Sequence, residues 1–173
     1  MIFGGVLVGG QSTRMGRDKA SLRFKGQSLQ AIAEQAIAPH ASRVYTLGPG
    51  GLEDAKGFQG PLAGIMAALR HAPEAWWIIS ACDMPFMCVE AFSWLLEEPR
   101  EECLALLPKS AEGHVQPTCA LYGPGSEALL GELRAPIELA KHPLVRTPQI
   151  PLHLEGAWTN INEAEAWERL IAD

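Results

Sequence analysis

Two adjacent glycines and a group of basic residues stand near the start of the chain. In the stretch GGVLVGGQSTRMGRDKA, residues 4–20, an apolar run ends at Gly9 and Gly10, and Arg14 and Lys19 follow. Adjacent glycines allow positive φ and close backbone approach, so their N–H groups can converge on an anion. Basic side chains would add charge to the same phosphates. The pattern fits a phosphate-binding loop, or a tight strand-to-helix turn whose basic residues are solvated.

Two familiar phosphate loops do not match this stretch. The P-loop pattern G-x-x-x-x-G-K-[ST] fails because five residues separate Gly10 from Gly16 and no lysine follows Gly16. The dinucleotide pattern G-x-G-x-x-G is absent as well. The residues themselves therefore leave two readings open, a nucleotide loop of another type or a structural turn.

A carboxylate follows the apolar run AWWIISAC. Asp83 ends that run and precedes Met84 and Pro85. A carboxylate at the end of a buried strand, in a turn fixed by proline, can hold Mg²⁺ through one oxygen while phosphates complete the shell. The alternative is an aspartate that caps the next turn or helix. A phosphate loop on a neighbouring strand would favour the metal role.

The elements that must position these residues alternate between strands and helices. Strands are predicted at 2–8, 42–48, 75–83, 103–108 and 117–123, and helices after Ser28, from Pro61, and at 89–97, 126–133 and 162–172. This alternation predicts a three-layer α/β domain with a mostly parallel sheet. Ligands bind such sheets at the carboxyl ends of the strands, where both Gly9-Gly10 and Asp83 are expected. Residues 134–150 contain three prolines and give no clear pattern.

Composition sets limits on function. The chain has 173 residues and a net charge of -6, which suits one domain and argues against a general nucleic-acid surface. Its four cysteines form no C-x-x-C pair and are typical of reduced core cysteines in a cytoplasmic protein. No apolar run approaches the roughly 20 residues that a membrane span needs. We therefore expect neither a nucleic-acid nor a membrane partner.

Five motifs together resemble the molybdenum cofactor guanylyltransferase family. They are LVGGQSTRMGRDKA (7–20), GPLAGI (60–65), CDMPF (82–86), QPTCALY (116–122) and NIN (160–162), in the family's order. The resemblance runs from residue 2 to about residue 170. It implies a single domain, residues 1–173, with the Rossmann-like fold of nucleotide-diphospho-sugar transferases.

The resemblance also implies an activity. The family transfers GMP from GTP to the terminal phosphate of molybdopterin, releases pyrophosphate and uses Mg²⁺. The implied partners are GTP, molybdopterin and other cofactor-assembly proteins. The implied catalytic residues are Arg14, Lys19 and Asp83, with Asp83 as the Mg²⁺ ligand. The other implied contacts are Leu7, Val8, Gly9, Gly10, Ser12 and Asp54 on the nucleotide, and Gln116, Asn160 and Asn162 on the pterin side.

Two alternatives to this activity stay open. Some family members place an asparagine after the second strand, whereas this chain reads Thr46-Leu47-Gly48. This difference keeps a sister enzyme in view that uses CTP. The other alternative is a nucleotide-binding module without catalysis, although binding alone would not require the carboxylate of Asp83.

Overall fold

The structure is a computed structural model, and it describes residues 1–8, 22–161, 169 and 171. The predicted glycine loop and nearly all of the predicted closing helix at 162–172 lie outside these residues. None of the helices in the described ranges combines the length and hydropathy needed to cross a lipid bilayer.

Six strands form the main sheet in the described part of the chain, and two short strands pair separately. Along the main sheet the order is β4-β1-β5-β7-β6-β8, and β2 pairs with β3. The strands are β1 (Ile2–Leu7), β2 (Arg23–Phe24), β3 (Gln27–Ser28), β4 (Val44–Leu47), β5 (Trp76–Ala81), β6 (Ala105–Leu106), β7 (Cys119–Tyr122) and β8 (Val145–Arg146).

The helices begin where the sequence predicts them. They are α1 (Leu29–Ile37), α2 (Pro61–His71), α3 (Val89–Glu97) and α4 (Ser126–Leu130). The side chain of Ser28 caps α1 by accepting a hydrogen bond from the N–H of Ala31 at 3.1 Å. Pro61 occupies the first turn of α2, where its missing N–H costs nothing.

The sheet is mostly parallel, as predicted. Strands β4, β1 and β5 run parallel to one another, and β6 and β8 are parallel to each other. Strand β7 is reversed, since it pairs antiparallel with both β5 and β6. The reversal follows from connectivity, because no helix separates β6 from β7 and a direct return favours antiparallel pairing.

The sheet is covered on both faces, which confirms the three layers. One apolar cluster joins the sheet to α1 and α3 through residues such as Ile37, Ile78 and Phe92. A second cluster joins the opposite face to α2 and α4 through residues such as Ile65, Trp77 and Leu130. The sheet side chains of both clusters are buried, so the ends of the strands are held rigidly.

Residues 134–150, which show no clear pattern in the sequence, have a mostly irregular backbone. They contain a 3₁₀ helix at Pro136–Lys141 and then β8. A further 3₁₀ helix, Leu152–Trp158, leads towards the Asn160 motif. The predicted strand at 103–108 is shorter than expected, with only Ala105–Leu106 in the ladder.

Candidate active site

Three parallel strands end together, and their carboxyl ends form one edge of the sheet, across the strands rather than along an outer strand. Leu7, the last residue of β1, pairs with Leu47 of β4 and with Ala81 of β5. The N–H of Val8 continues this pairing by donating to the carbonyl of Leu47 at 3.0 Å. Asp83 follows Ala81 by two residues, so the point where the predicted glycine loop leaves β1 and the Asp83 turn occupy the same edge.

The turn that carries Asp83 is held on both sides. The N–H of Ile161 donates to the backbone carbonyl of Asp83 at 3.1 Å, and the N–H of Met87 donates to that of Met84 at 3.1 Å. Asp83 is partly exposed as a residue, whereas its Oδ1 atom is shielded from solvent. The bond to Ile161 brings Asn160, an exposed residue, beside this turn.

A buried cysteine lies next to the same turn. Cys119, on β7, is opposite Ser80 of β5, and its thiol donates to Met84 Sδ at 3.2 Å. Burial raises the pKa of the Cys119 thiol to about 12, and the charge of the nearby Asp83 carboxylate acts in the same direction. This thiol therefore stays neutral and serves packing rather than chemistry.

Asp54 reaches the same edge from the loop after β4. This loop folds back on its strand, since the N–H of Leu52 donates to the Thr46 carbonyl at 2.8 Å. A Cβ placed on Gly64 of α2 would lie 2.6 Å from Leu7 Cδ2 and 3.7 Å from Asp54 Oδ1. The exposed Asp54 carboxylate is thus close to the end of β1.

An open cavity of about 330 Å³ lies on the β7 side of this edge. Its lining includes Gln116, Glu155, Trp158 and Thr159. Gln116 is fixed by its own N–H, which donates to the Pro108 carbonyl at 2.8 Å. Because Thr159 precedes Asn160, the cavity is continuous along the chain with the segment that contacts Asp83.

The predicted site residues fall into three groups. Leu7, Val8, Asp54, Asp83 and Asn160 gather at the edge of the sheet, and Gln116 lies in the neighbouring cavity. The remaining predicted residues lie outside the described residues: Gly9, Gly10, Ser12, Arg14, Lys19 and Asn162.

Comparison with known proteins identifies the family. The model of the MobA-like NTP transferase domain matches residues 4–146, which include the whole edge except the Asn160 segment. The chain belongs to this family. A probable molybdenum cofactor guanylyltransferase of Trichormus variabilis is 35% identical over 133 residues, with 68% of this chain and 63% of that protein covered. The chain thus spans less than two thirds of the length of this relative.

Solved structures share the fold of this MobA-like domain. Molybdopterin-guanine dinucleotide biosynthesis protein A from Archaeoglobus fulgidus has a TM-score of 0.79 at 23% identity, with 98% of this chain and 97% of that chain covered. A Mycobacterium tuberculosis protein crystallised as a complex with manganese has a TM-score of 0.60 at 17% identity, with 99% and 98% covered. These likenesses confirm the Rossmann-like nucleotidyltransferase fold.

The donor set at the edge of the MobA-like domain suits a metal held jointly with a ligand. Within the described ranges, no group of three or more His, Cys, Asp or Glu residues is arranged to hold a metal ion. Magnesium usually keeps several waters and takes one or two carboxylates plus substrate phosphates. The single carboxylate of Asp83, partly exposed beside the end of β1, fits that mode of binding.

Sequence analysis did not single out two residues of the cavity, Glu155 and Trp158. The Glu155 carboxylate accepts a hydrogen bond from the N–H of Ala111 at 2.5 Å, which ties two distant loops together. Trp158 makes a comparable long-range contact to β7. Neither contact leaves a signal in local periodicity, because the two partners are 44 residues apart in the first case and 39 in the second.

Proposed function

We propose that this chain is a nucleotidyltransferase that transfers GMP from GTP to the terminal phosphate of molybdopterin and releases pyrophosphate. The observation that carries the proposal is the common edge formed by the ends of β4, β1 and β5, with Asp83 on it and a cavity beside it. Membership of the MobA-like family and the printed name of the relative from Trichormus variabilis support the same activity.

The nucleotide side of the site is formed by the ends of β1 and β4. Leu7 ends a rigid strand and Val8 is held by its bond to Leu47, so their backbone can contact the nucleoside without moving. Asp54 lies within reach of the same point. The amides of Gly9 and Gly10, with Arg14 and Lys19, would bind the triphosphate in the manner the sequence predicts.

Magnesium bound at Asp83 would neutralise phosphate charge in the reaction. Asp83 is the residue that would hold the ion, and the backbone bond from Ile161 fixes the turn that carries it. The manganese complex of the Mycobacterium tuberculosis structure supports a divalent cation on this fold.

The acceptor side is formed by the cavity and the Asn160 segment. Gln116, Asn160 and Asn162 would orient molybdopterin so that its terminal phosphate faces the α-phosphorus of GTP. An oxygen of that phosphate attacks the α-phosphorus, the bond to the β-phosphate oxygen breaks, and pyrophosphate leaves. Positioning and charge neutralisation supply the catalysis, so no covalent protein intermediate is required.

The partners follow from this reaction. GTP and molybdopterin are the substrates, and other cofactor-assembly proteins would supply the acceptor and take up the product in the cytoplasm. We treat residues 1–173 as one domain for this activity.

A thermal-shift panel tests the nucleotide and the metal together. The chain is heated with GTP, CTP, ATP or UTP, each with and without Mg²⁺, because ligands that bind only the native state raise the Tm. We expect the largest rise with GTP and Mg²⁺, and we expect Asp83→Asn to remove its dependence on Mg²⁺. Glu74→Gln is the matched control, since this exposed carboxylate precedes β5 at the opposite edge of the sheet.

The other outcomes of the panel are equally informative. A larger rise with CTP would replace GTP by CTP in the proposal. A rise in Tm that is independent of Mg²⁺, together with no GMP transfer in an activity assay, would favour a binding module without catalysis. No shift with any nucleotide would contradict the proposed function.

A further inference from the structure

Trp158 occupies a buried position between the acceptor cavity and the main sheet. Only 4% of this residue is exposed. Its indole N–H donates to the backbone carbonyl of Cys119 on β7 at 3.2 Å. Its ring packs edge-on against Trp94 of α3, with 5.8 Å between the ring centroids. Trp158 therefore joins the end of the Leu152–Trp158 helix to the sheet through one directed hydrogen bond and to α3 through one apolar contact.

The strand that receives this hydrogen bond contacts the Asp83 turn directly. The Cys119 thiol lies 3.2 Å from Met84 Sδ, and Met84 is the residue that follows Asp83. Just before this strand, the carbonyl of Thr118 accepts a hydrogen bond from the N–H of Ala81 at 2.8 Å. A displacement of β7 at Cys119 would thus shift Ala81 and Met84, which lie on either side of Asp83 in the chain.

The segment after Trp158 returns to the same aspartate. The N–H of Ile161 donates to the Asp83 carbonyl at 3.1 Å. Residues 158–161 are therefore fixed to the sheet at both ends, by Trp158 to β7 and by Ile161 to the Asp83 turn. Thr159, which lines the cavity, and Asn160 lie between these two points.

We propose that Trp158 is a positioning residue that sets the Asp83 carboxylate at a fixed place relative to the acceptor cavity. This inference rests on the proposed function, in which Asp83 binds the nucleotide-associated metal and the cavity binds the acceptor. In-line transfer tolerates little displacement between the two substrates, and a shift of about 1 Å can cost on the order of 100-fold in rate. Trp158 acts on the reaction only through Asp83 and residues 159–161.

Trp158→Phe separates the directed bond from the packing. Phenylalanine retains an aromatic ring against Trp94 but has no N–H for the Cys119 carbonyl. Trp94→Phe is the matched control, because it trims the other ring of the same pair and leaves the bond from Trp158 in place. A merely structural role predicts similar effects of the two variants on Tm and none on metal binding.

The test measures Mn²⁺ binding to the full chain in the presence of GTP, by titration of the free-ion EPR signal, alongside transfer kinetics. We expect Trp158→Phe to weaken Mn²⁺ binding by about five- to tenfold and to lower kcat more than it raises the KM for GTP. We expect Trp94→Phe to stay within about twofold of the unaltered chain in both measurements. Equal Mn²⁺ affinities and equal kcat for the two variants would overturn the inference.

The unaltered chain and Asp83→Asn distinguish this inference from the proposed function. If the unaltered chain binds no Mn²⁺ with GTP, or Asp83→Asn binds it as well as the unaltered chain, the metal role of Asp83 fails and the inference falls with it. If the two bind differently and Trp158→Phe matches Trp94→Phe, the inference alone is wrong.

A second pair of variants applies if Trp158→Phe does not fold. Ile161→Pro removes the N–H that bonds to the Asp83 carbonyl, and Ile161→Val keeps it while trimming the same buried side chain. We expect weaker Mn²⁺ binding in the proline variant and nearly unchanged binding in the valine variant. Indistinguishable Mn²⁺ affinities in this pair would overturn the claim that the 158–161 segment positions Asp83.

Discussion

The two halves of the main sheet are built differently. In the nucleotide half, formed by β4, β1 and β5, strands of four to six residues run parallel and are joined through helices. In the acceptor half, formed by β7, β6 and β8, two of the strands have only two residues. No helix separates β6 from β7, and the connection from β7 to β8 contains the five-residue helix α4 and the 3₁₀ helix Pro136–Lys141.

Under the proposed function, this difference bears on how each substrate would be recognised. The nucleotide half aligns three strand ends through regular backbone pairing, so its binding edge follows from the fold itself. The acceptor half relies on single long-range contacts, such as those of Glu155 with Ala111 and of Trp158 with Cys119. We infer that substitutions in the nucleotide half disturb catalysis and folding together. Substitutions that line the acceptor cavity should act mainly on binding of the acceptor, except at Trp158, whose contacts lead to the Asp83 turn.

The largest contrast is expected between Asp83→Asn and Gln116→Ala. Loss of the Asp83 charge should lower kcat about 100-fold or more, because charge neutralisation acts in the transition state. Loss of the Gln116 amide should raise the KM for the acceptor about tenfold and change kcat little, because that contact serves binding. Steady-state kinetics with each substrate varied measure both effects. A loss of kcat of equal size in the two variants would contradict the difference between the halves.

A pair of glycines tests the same contrast in stability. A Cβ on Gly51, in the loop after β4, would lie 2.8 Å from the carbonyl carbon of Thr46 and closer still to its oxygen, whereas a Cβ on Gly156 would meet nothing within 4 Å. We expect Gly51→Ala to lower the free energy of unfolding by about 1–3 kcal/mol. Gly156→Ala should stay within about 0.5 kcal/mol of the unaltered chain. Urea unfolding measures both, and equal losses would contradict the packing described here.

A smaller effect is expected from pH and concerns β7, where the two halves meet. Burial raises the pKa of Tyr122, and it raises that of Cys119 from 9.0 to about 12. The unfolded chain releases these protons at lower pH than the folded chain. The free energy of unfolding is therefore highest below pH 9 with respect to these two groups, and it falls as pH rises towards 12.

Tyr122→Phe isolates the contribution of the tyrosine to this pH dependence. The variant loses the hydrogen bond from the Tyr122 hydroxyl to the Pro117 carbonyl, which is 2.6 Å long, and should be less stable by about 1 kcal/mol at neutral pH. Its free energy of unfolding should then fall less steeply between pH 10 and 12 than that of the unaltered chain. Urea unfolding at several pH values would contradict this account if the two slopes were the same.

Local signals predicted the nucleotide half well. Ser28 and Pro61 marked the starts of α1 and α2, and the apolar run before Asp83 predicted β5. Strand ends are also predictable in parallel sheets, so the placement of Asp83 near the end of β1 followed from topology.

The acceptor half was less predictable for physical reasons. Strands β6 and β8 are too short to show a period, and they are held by neighbours distant in sequence. The reversal of β7 depends on a connection without a helix, which the apolar pattern of 117–123 does not reveal. Trp158 belongs to no motif, and the bond to Cys119 on which its proposed role rests appears only in the folded structure.

The central claim is tested most directly by following both ends of the triphosphate. The chain is incubated with Mg²⁺ and molybdopterin, and with GTP labelled either at the α- or at the γ-phosphate. The account predicts that the α label joins the acceptor and that the γ label leaves as pyrophosphate. In the Asp83→Asn variant, both steps should be much slower than in the unaltered chain. An α label that remains in GTP, or a γ label that moves to the acceptor, would contradict it.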